Sequence, residues 1–416
     1  MDAGRMKLAM LLTYFVFAIL LNSVGTVIMQ SINSFGVTKS AAATLEGFKD
    51  ISIAVVSFMI ASFLPRWGYR RAMMIGLGIV TLACLAMPLL ASFWATQLLF
   101  LAVGVSFALV KVSVYSSIGL ITVDRKGHAA FMNTLEGFFM VGVLAGYWLF
   151  SMFIDSANPS SQQWLVVYWP LAGICALNLL LLATTQFDES GARRADPSTL
   201  AQDFFGMLRL IALPLAYVFV ISAFLYVLIE QGLGTWLPTF NNQILKLPAA
   251  MSVQATSIFA ATLAVGRLSA GFLMRYVNWY RLLNICLLAM AALVILTLPL
   301  THDIADDPNM TWFSAPIAAY IFPLVGLFMA PIYPAINSVV LSALPKTQHS
   351  AMTGLIVIFS ALGGTTGSIV TGRVFELFDG QTAFYFSLAP MAGLLISLFF
   401  FRRAVAARDR AAQVPA

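Results

Sequence analysis

Long apolar runs separated by short polar or basic turns organise this chain. A bilayer-spanning helix needs about 20 mostly apolar residues. Twelve segments reach that length: roughly 7–30, 40–65, 72–91, 96–122, 128–154, 163–185, 207–239, 250–275, 280–299, 314–343, 350–375 and 382–402. Most connections are short. The longest, Phe187 to Gly206, is mostly polar and divides the segments six and six. Within it, Asp196-Pro-Ser-Thr carries the cap-and-proline signal that starts a short surface helix. The pattern predicts an all-α integral membrane protein. Its expected parts are an N-terminal six-helix bundle over 1–186, a cytoplasmic linker over 187–206, a C-terminal six-helix bundle over 207–402 and a basic tail over 403–416.

Composition sharpens that picture. The 416 residues are 60% hydrophobic and only 10% charged, whereas a soluble domain carries about 25% charged residues. This excludes a soluble enzyme with an added anchor. The net charge of +6 does not point to nucleic acid, because basic residues in such a chain set topology. With the N-terminus in the cytoplasm, seventeen of the 23 basic residues fall on the cytoplasmic side. The opposite side holds only Lys39 and Lys246. Both termini are therefore expected inside, in a bacterial-type inner membrane. The first apolar run is too long for a signal-peptide core and lacks a small-residue cleavage site. Cys84, Cys175 and Cys286 lie in apolar stretches and give neither a disulfide framework nor metal spacing. His128, His302 and His349 fall in loops or at segment ends, and no zincin or phosphate-loop motif is present. No metal, cofactor, catalytic constellation or ATP-driven transport is expected.

The informative exceptions are charges inside the apolar segments. Glu46, Lys49 and Asp50 interrupt the second segment. A charge at the centre of a membrane helix costs about 2.5–3.5 kcal/mol on insertion scales and persists where it faces a bundle interior or a wet cavity. Glu46 and Asp50 are i, i+4 and Lys49 is i+3 from Glu46, so all three share one face. Two readings stand: an internally paired group that holds helices together, or a working part of a transport cycle. Lys111, in the middle of the fourth segment, divides the same way between a structural partner of Asp50 or Glu136 and a functional cation, either a substrate anchor, which would suit an anionic solute, or a charge displaced by protonation. Glu136 lies three residues after Asn133 on one face of the fifth segment, either binding a hydroxylated ligand or holding helices. Gly142-x-x-x-Gly146 reads as helix packing.

In the second half, Glu230 and Gln231 precede Gly232 and Gly234, where the helix can loosen. Trp236 and Phe240 read as interfacial belt residues or a lid over a site. Pro331 and Pro334 mark a kink next to Tyr333 and Asn337. Arg267 reads as a latch and Arg373 as a residue snorkelling to the interface.

An internal echo joins two of these segments. Thr44-Leu-Glu-Gly-Phe48 recurs as Thr134-Leu-Glu-Gly-Phe138. The copies start the second and fifth segments, the partners expected of inverted three-helix repeats. With twelve segments and a central polar loop, the chain resembles the major facilitator superfamily. Pro65-Arg-Trp-Gly-Tyr-Arg-Arg71 resembles that superfamily's basic signature, with Arg66, Gly68 and Arg70 in register. Tyr69 replaces one arginine, Arg71 follows one place late, and Pro65 stands where the signature has aspartate. The departure removes the carboxylate on which the signature's gating latch depends. Phe224 to Trp236, Val265-Gly-Arg267, Leu324 to Phe328 with Tyr333-Pro334, and Ala361-Leu-Gly-Gly364 resemble the fucose permease-type branch. Relatives of that branch imply proton-binding carboxylates in the first and fourth helices. Here Asn22 and Lys111 stand in those helices.

These observations lead to a secondary active transporter working by alternating access, its partners a small polar solute, protons and the lipid bilayer. The expected solute is a sugar or sugar derivative, including an anionic one, and the proton gradient is the energy source. The alternative is a proton-driven exporter of a drug, metabolite or siderophore-like compound. Proton-coupling candidates are Asp50, Glu46, Glu136 and Glu230, with Asp50 preferred. Substrate-binding candidates are Asn22, Lys49, Lys111, Tyr115, Asn133, Gln231, Trp236, Tyr333 and Asn337. Gating falls to Arg66, Gly68, Arg70, Arg71 and Arg267. A monomer suffices for this function.

Overall fold

Apolar side chains outnumber polar ones on every long segment, so backbone hydrogen bonds are satisfied within helices and the structure is helical. The computed structural model describes residues 3–61, 64–122, 125–187, 189, 209–274, 276–302, 304–305, 307, 310–344 and 348–413. The expected surface helix at Asp196 lies outside them, as do Arg193 and Arg194. The chain divides into two compact units, Met1–Leu200 and Ala201–Ala416. Eleven helices among the described residues are long and apolar enough to cross a membrane. The 23-residue Lys39–Ala61 helix has the length as well, but it carries the charge cluster.

The first unit is built from Ala3–Asn22, Val24–Phe35, Lys39–Ala61, Tyr69–Leu90, Phe93–Ile121, Arg125–Ser151 and Tyr168–Thr184. The first expected span is thus two helices broken at Ser23, whose hydroxyl turns back to the Leu20 carbonyl at 2.8 Å. Local side-chain-to-backbone bonding of this kind competes with the helix ladder. The Gly142-x-x-x-Gly146 stripe meets the first helix. A Cβ on Gly142 would stand 2.8 Å from the Ala18 side chain, and one on Gly146 3.3 Å from the Ile19 backbone. The packing reading of that motif holds.

The second unit contains Pro214–Gly234, Leu237–Gln243, Ala249–Leu273, Trp279–Thr297, Ile332–Ala343, His349–Leu377 and Leu388–Gln413. The first helix ends at Gly234, where the glycines loosen the segment, and restarts with Pro238 in its first turn. The tenth segment is broken at Pro331, which lies between Val325–Met329 and Ile332–Ala343, whereas Pro334 falls in the first turn of the latter; a second break, at the 3₁₀ turn of Pro323, is unexpected. Gly363 and Gly367 press against the backbone of Phe224 and Leu228, so the Pro214–Gly234 and His349–Leu377 helices approach closely. The last helix runs on through Arg402 and Arg403 into the basic tail, as far as Gln413. Its alanines and arginines are strong helix formers, and the next proline is Pro415.

Candidate functional site

Helical spacing does what the sequence requires of Glu46, Lys49 and Asp50. The Lys49 ammonium bonds the Glu46 carboxylate and lies 3.5 Å from that of Asp50. Glu46 is fully enclosed, whereas the Asp50 side chain keeps 13% of its surface exposed. Tyr147, on Arg125–Ser151, lies within electrostatic range of Lys49 and Glu46. The Phe93–Ile121 helix packs against the cluster. Gly104 lies against the Lys49 carbonyl, and a Cβ there would stand 2.9 Å from the Ser52 side chain.

The second copy of the echo has a different environment. Glu136 is exposed and accepts a hydrogen bond from the Tyr115 hydroxyl at 2.7 Å. Lys111, one turn before Tyr115, is half-buried, with its ammonium 5.7 Å from the Phe107 ring centre. Where Lys49 and Asp50 would repeat, Phe139 instead packs near Tyr14 and Phe107, with centroids 6.0 and 6.3 Å away. Asn133 is exposed one turn before Glu136. Asn22 is not part of this group: its amide donates to the Ala18 carbonyl of its own helix at 2.9 Å.

In the second unit, Arg267 lies 3.6 Å from Glu230. Tyr226, one turn before Glu230, stacks on Tyr333 with centroids 5.4 Å apart and planes 23° from parallel. Tyr333 shares a 2.8 Å hydrogen bond with Ser360, and Asn337 follows it by one turn. Gln231 does not join them, since its side-chain oxygen accepts from Thr235 at 2.9 Å. Trp236 and Phe240, expected as interfacial belt residues or a lid over a site, lie in the core instead. Both are fully buried, the indole N–H donates to the Ser368 carbonyl at 3.0 Å, and Phe240 stacks on Phe384 at 4.2 Å. The break at Gly234 turns the following segment inward, which sequence position alone does not convey.

Residues 8–364 match the family model described as Major Facilitator Superfamily. The chain belongs to the Major Facilitator Superfamily. It is a membrane transporter, not an enzyme. No curated protein sequence matches it. Among solved structures, it is similar to a bacterial homologue of the human lysosomal transporter Spinster, at 16% identity and a TM-score of 0.75, covering 100% of this chain and 99% of that one. A D-xylose-proton symporter gives 14% identity and 0.72, covering 95% and 97%. The E. coli fucose:proton symporter gives 16% and 0.59, covering 97% and 98%. At these identities the likeness is one of fold.

The superfamily's basic turn supplies the feature that sequence reading missed. Gly68 has φ of 91°, a conformation that side chains rarely adopt, and it starts Tyr69–Leu90. The Glu189 carboxylate accepts the backbone N–H groups of Tyr69 at 2.9 Å and Arg70 at 2.7 Å. A Cβ on Gly68 would overlap it, at 2.5 Å from the carboxylate. The Arg70 guanidinium in turn donates to the Leu182 carbonyl at 2.9 Å. This major facilitator therefore has a carboxylate on its basic turn although Pro65 replaces the signature aspartate. Arg71 is exposed beside it, and the Arg66 side chain lies outside the described residues. Nothing in the spacing of Glu189, about 120 residues away, signals this contact. Tyr226 is not among the sequence candidates, although its place four residues before Glu230, on the same helix face, is a signal that could have found it.

Proposed function

We propose that this chain is a proton-coupled secondary active transporter that moves a sugar or sugar derivative by alternating access. Superfamily membership supports transport, and the enclosed Glu46–Lys49–Asp50 group supports coupling. A fully enclosed carboxylate beside a partly exposed one, sharing one ammonium, is an arrangement in which a proton taken up by one acid redistributes the pairing of the others. Asp50 is the member that retains contact with the surface and is the proton carrier in this reading. Glu230 beside Arg267, and the stacked Tyr226–Tyr333 pair, supply the second unit's polar and aromatic groups. The motif resemblance to the fucose permease-type branch, and the sugar–proton symport named for two fold neighbours, support the same solute class. The Lys39–Ala61 helix is the twelfth span in this reading, its charges tolerated because they pair inside the first unit. Both termini then lie on the cytoplasmic side of a bacterial-type inner membrane, and one copy carries the full cycle.

Uptake by proteoliposomes under an imposed proton gradient tests the proposal. Across a panel of labelled hexoses, pentoses and their sugar acids, at least one solute should accumulate above equilibrium only while the gradient lasts. Accumulation that ignores the gradient would remove the coupling.

A further inference from the structure

Four basic residues lie within the expected spans or near their ends, and three of them have a carboxylate close by. Lys49 is held by Glu46 and Asp50, Arg267 lies 3.6 Å from Glu230, and Arg373 lies 3.7 Å from Glu376. Lys111 is the exception. Among the described residues its ammonium has no ion pair and no hydrogen bond; its contact is the Phe107 ring on its own helix. An ammonium in a helix bundle without a partner is costly, and it persists where something compensates it.

Glu136 lies within electrostatic range of Lys111, and the two form no ion pair among the described residues. Its carboxylate is engaged by Tyr115, which shares a helix face with Lys111 at i, i+4. Asn133, exposed one turn from Glu136, makes no hydrogen bond among the described residues. The aromatic rings of Tyr14, Phe107 and Phe139 flank the group. The Tyr115–Glu136 bond thus joins a helix that carries a cation with three donors to one that carries an amide and a carboxylate with remaining acceptor capacity, beside apolar ring surface.

That set selects a chemistry. A neutral sugar would leave the ammonium uncompensated. A doubly charged anion would meet one cation and the field of Glu136. An organic cation would meet Lys111. A monocarboxylate bearing hydroxyls satisfies every group: its carboxylate takes the Lys111 donors, its hydroxyls take Asn133 and Glu136, and its C–H face lies on the rings. We propose that Lys111 is the carboxylate-binding residue of a site in the first unit and that the transported solute is a sugar acid. This rests on the reading of the chain as a transporter of sugars or their derivatives.

The test is equilibrium binding to the purified full-length protein in detergent, by calorimetry. The probes are D-gluconate, D-galactonate and D-glucuronate, each against D-glucose or D-galactose, and D-glucosamine as the cationic control. At least one acid should bind tenfold or more tightly than its parent sugar, and glucosamine should be weakest. Lys111→Met should erase that preference, with Lys111→Arg keeping part of it. Equal affinity for acids and sugars, no binding of any of the three acids, or an acid preference that survives Lys111→Met each overturns the inference. The wild-type comparison needs no variant to fold. Counterflow of a neutral sugar unaffected by Lys111→Met would overturn the sugar-acid assignment and leave the transporter reading intact. Binding of acids without any uptake would instead sink the transporter reading alone.

Discussion

Gly104 of one helix rests on the backbone carbonyl of Lys49 in another, at the centre of the first unit's charge cluster. The contact leaves no room for a methyl group, so the helix that carries the charges is seated by a residue with no side chain. Gly104→Ala should push the two helices apart. Overpacking of this kind costs about 1–3 kcal/mol. A lowered unfolding temperature in detergent, with proton-driven uptake reduced further than the loss of folded protein explains, is the expected result.

Within the cluster, the two acids should respond differently. Glu46 is fully enclosed against Lys49, so Glu46→Gln leaves a buried ammonium with one acid in place of two. Breaking such a pair costs about 3–5 kcal/mol. Asp50 retains exposed surface, and Asp50→Asn should fold normally. Its expected defect is in coupling: downhill counterflow persists while uptake driven by a proton gradient is lost. Asp50→Asn with full gradient-driven uptake would assign the cluster to structure alone.

Glu189 should act as the N-terminal cap of Tyr69–Leu90. Its carboxylate meets two backbone donors at the positive end of the helix, where a negative charge is favoured. Glu189→Ala should cost about 1 kcal/mol, as the loss of a cap typically does. Protease cleavage near the linker should then rise, measured by limited proteolysis of the purified transporter. Glu189→Gln keeps an acceptor and should lose less.

Trp236 offers a check on the second unit. The indole is buried and donates to Ser368, with Phe375 beside it at 5.8 Å. Trp236→Ala should destabilise by about 3–5 kcal/mol, the usual cost of removing a large buried side chain. Trp236→Phe should lose less, because ring packing is retained and one hydrogen bond is not. Thermal unfolding followed by tryptophan fluorescence separates the two variants.

The sequence by itself determined the class of the protein and much of its layout. Apolar length dictates helices because lipid offers no partner for an unpaired backbone group. The breaks at Gly234 and Pro331 and the shared face of Glu46, Lys49 and Asp50 all follow from local geometry. So does the close packing at Gly142 and Gly146 once small residues recur every four positions. Tertiary structure decided what those local features meet. It set Glu46 in a closed environment and its repeat partner Glu136 in an open one, although the five-residue stretches around them are identical. It brought Glu189 to the basic turn across about 120 residues and turned Trp236 inward. Among the described residues it also left Lys111 without the ion pair that Lys49 and Arg267 have. Burial and pairing depend on which helices become neighbours, and periodicity within one helix says which face points inward without saying what waits there.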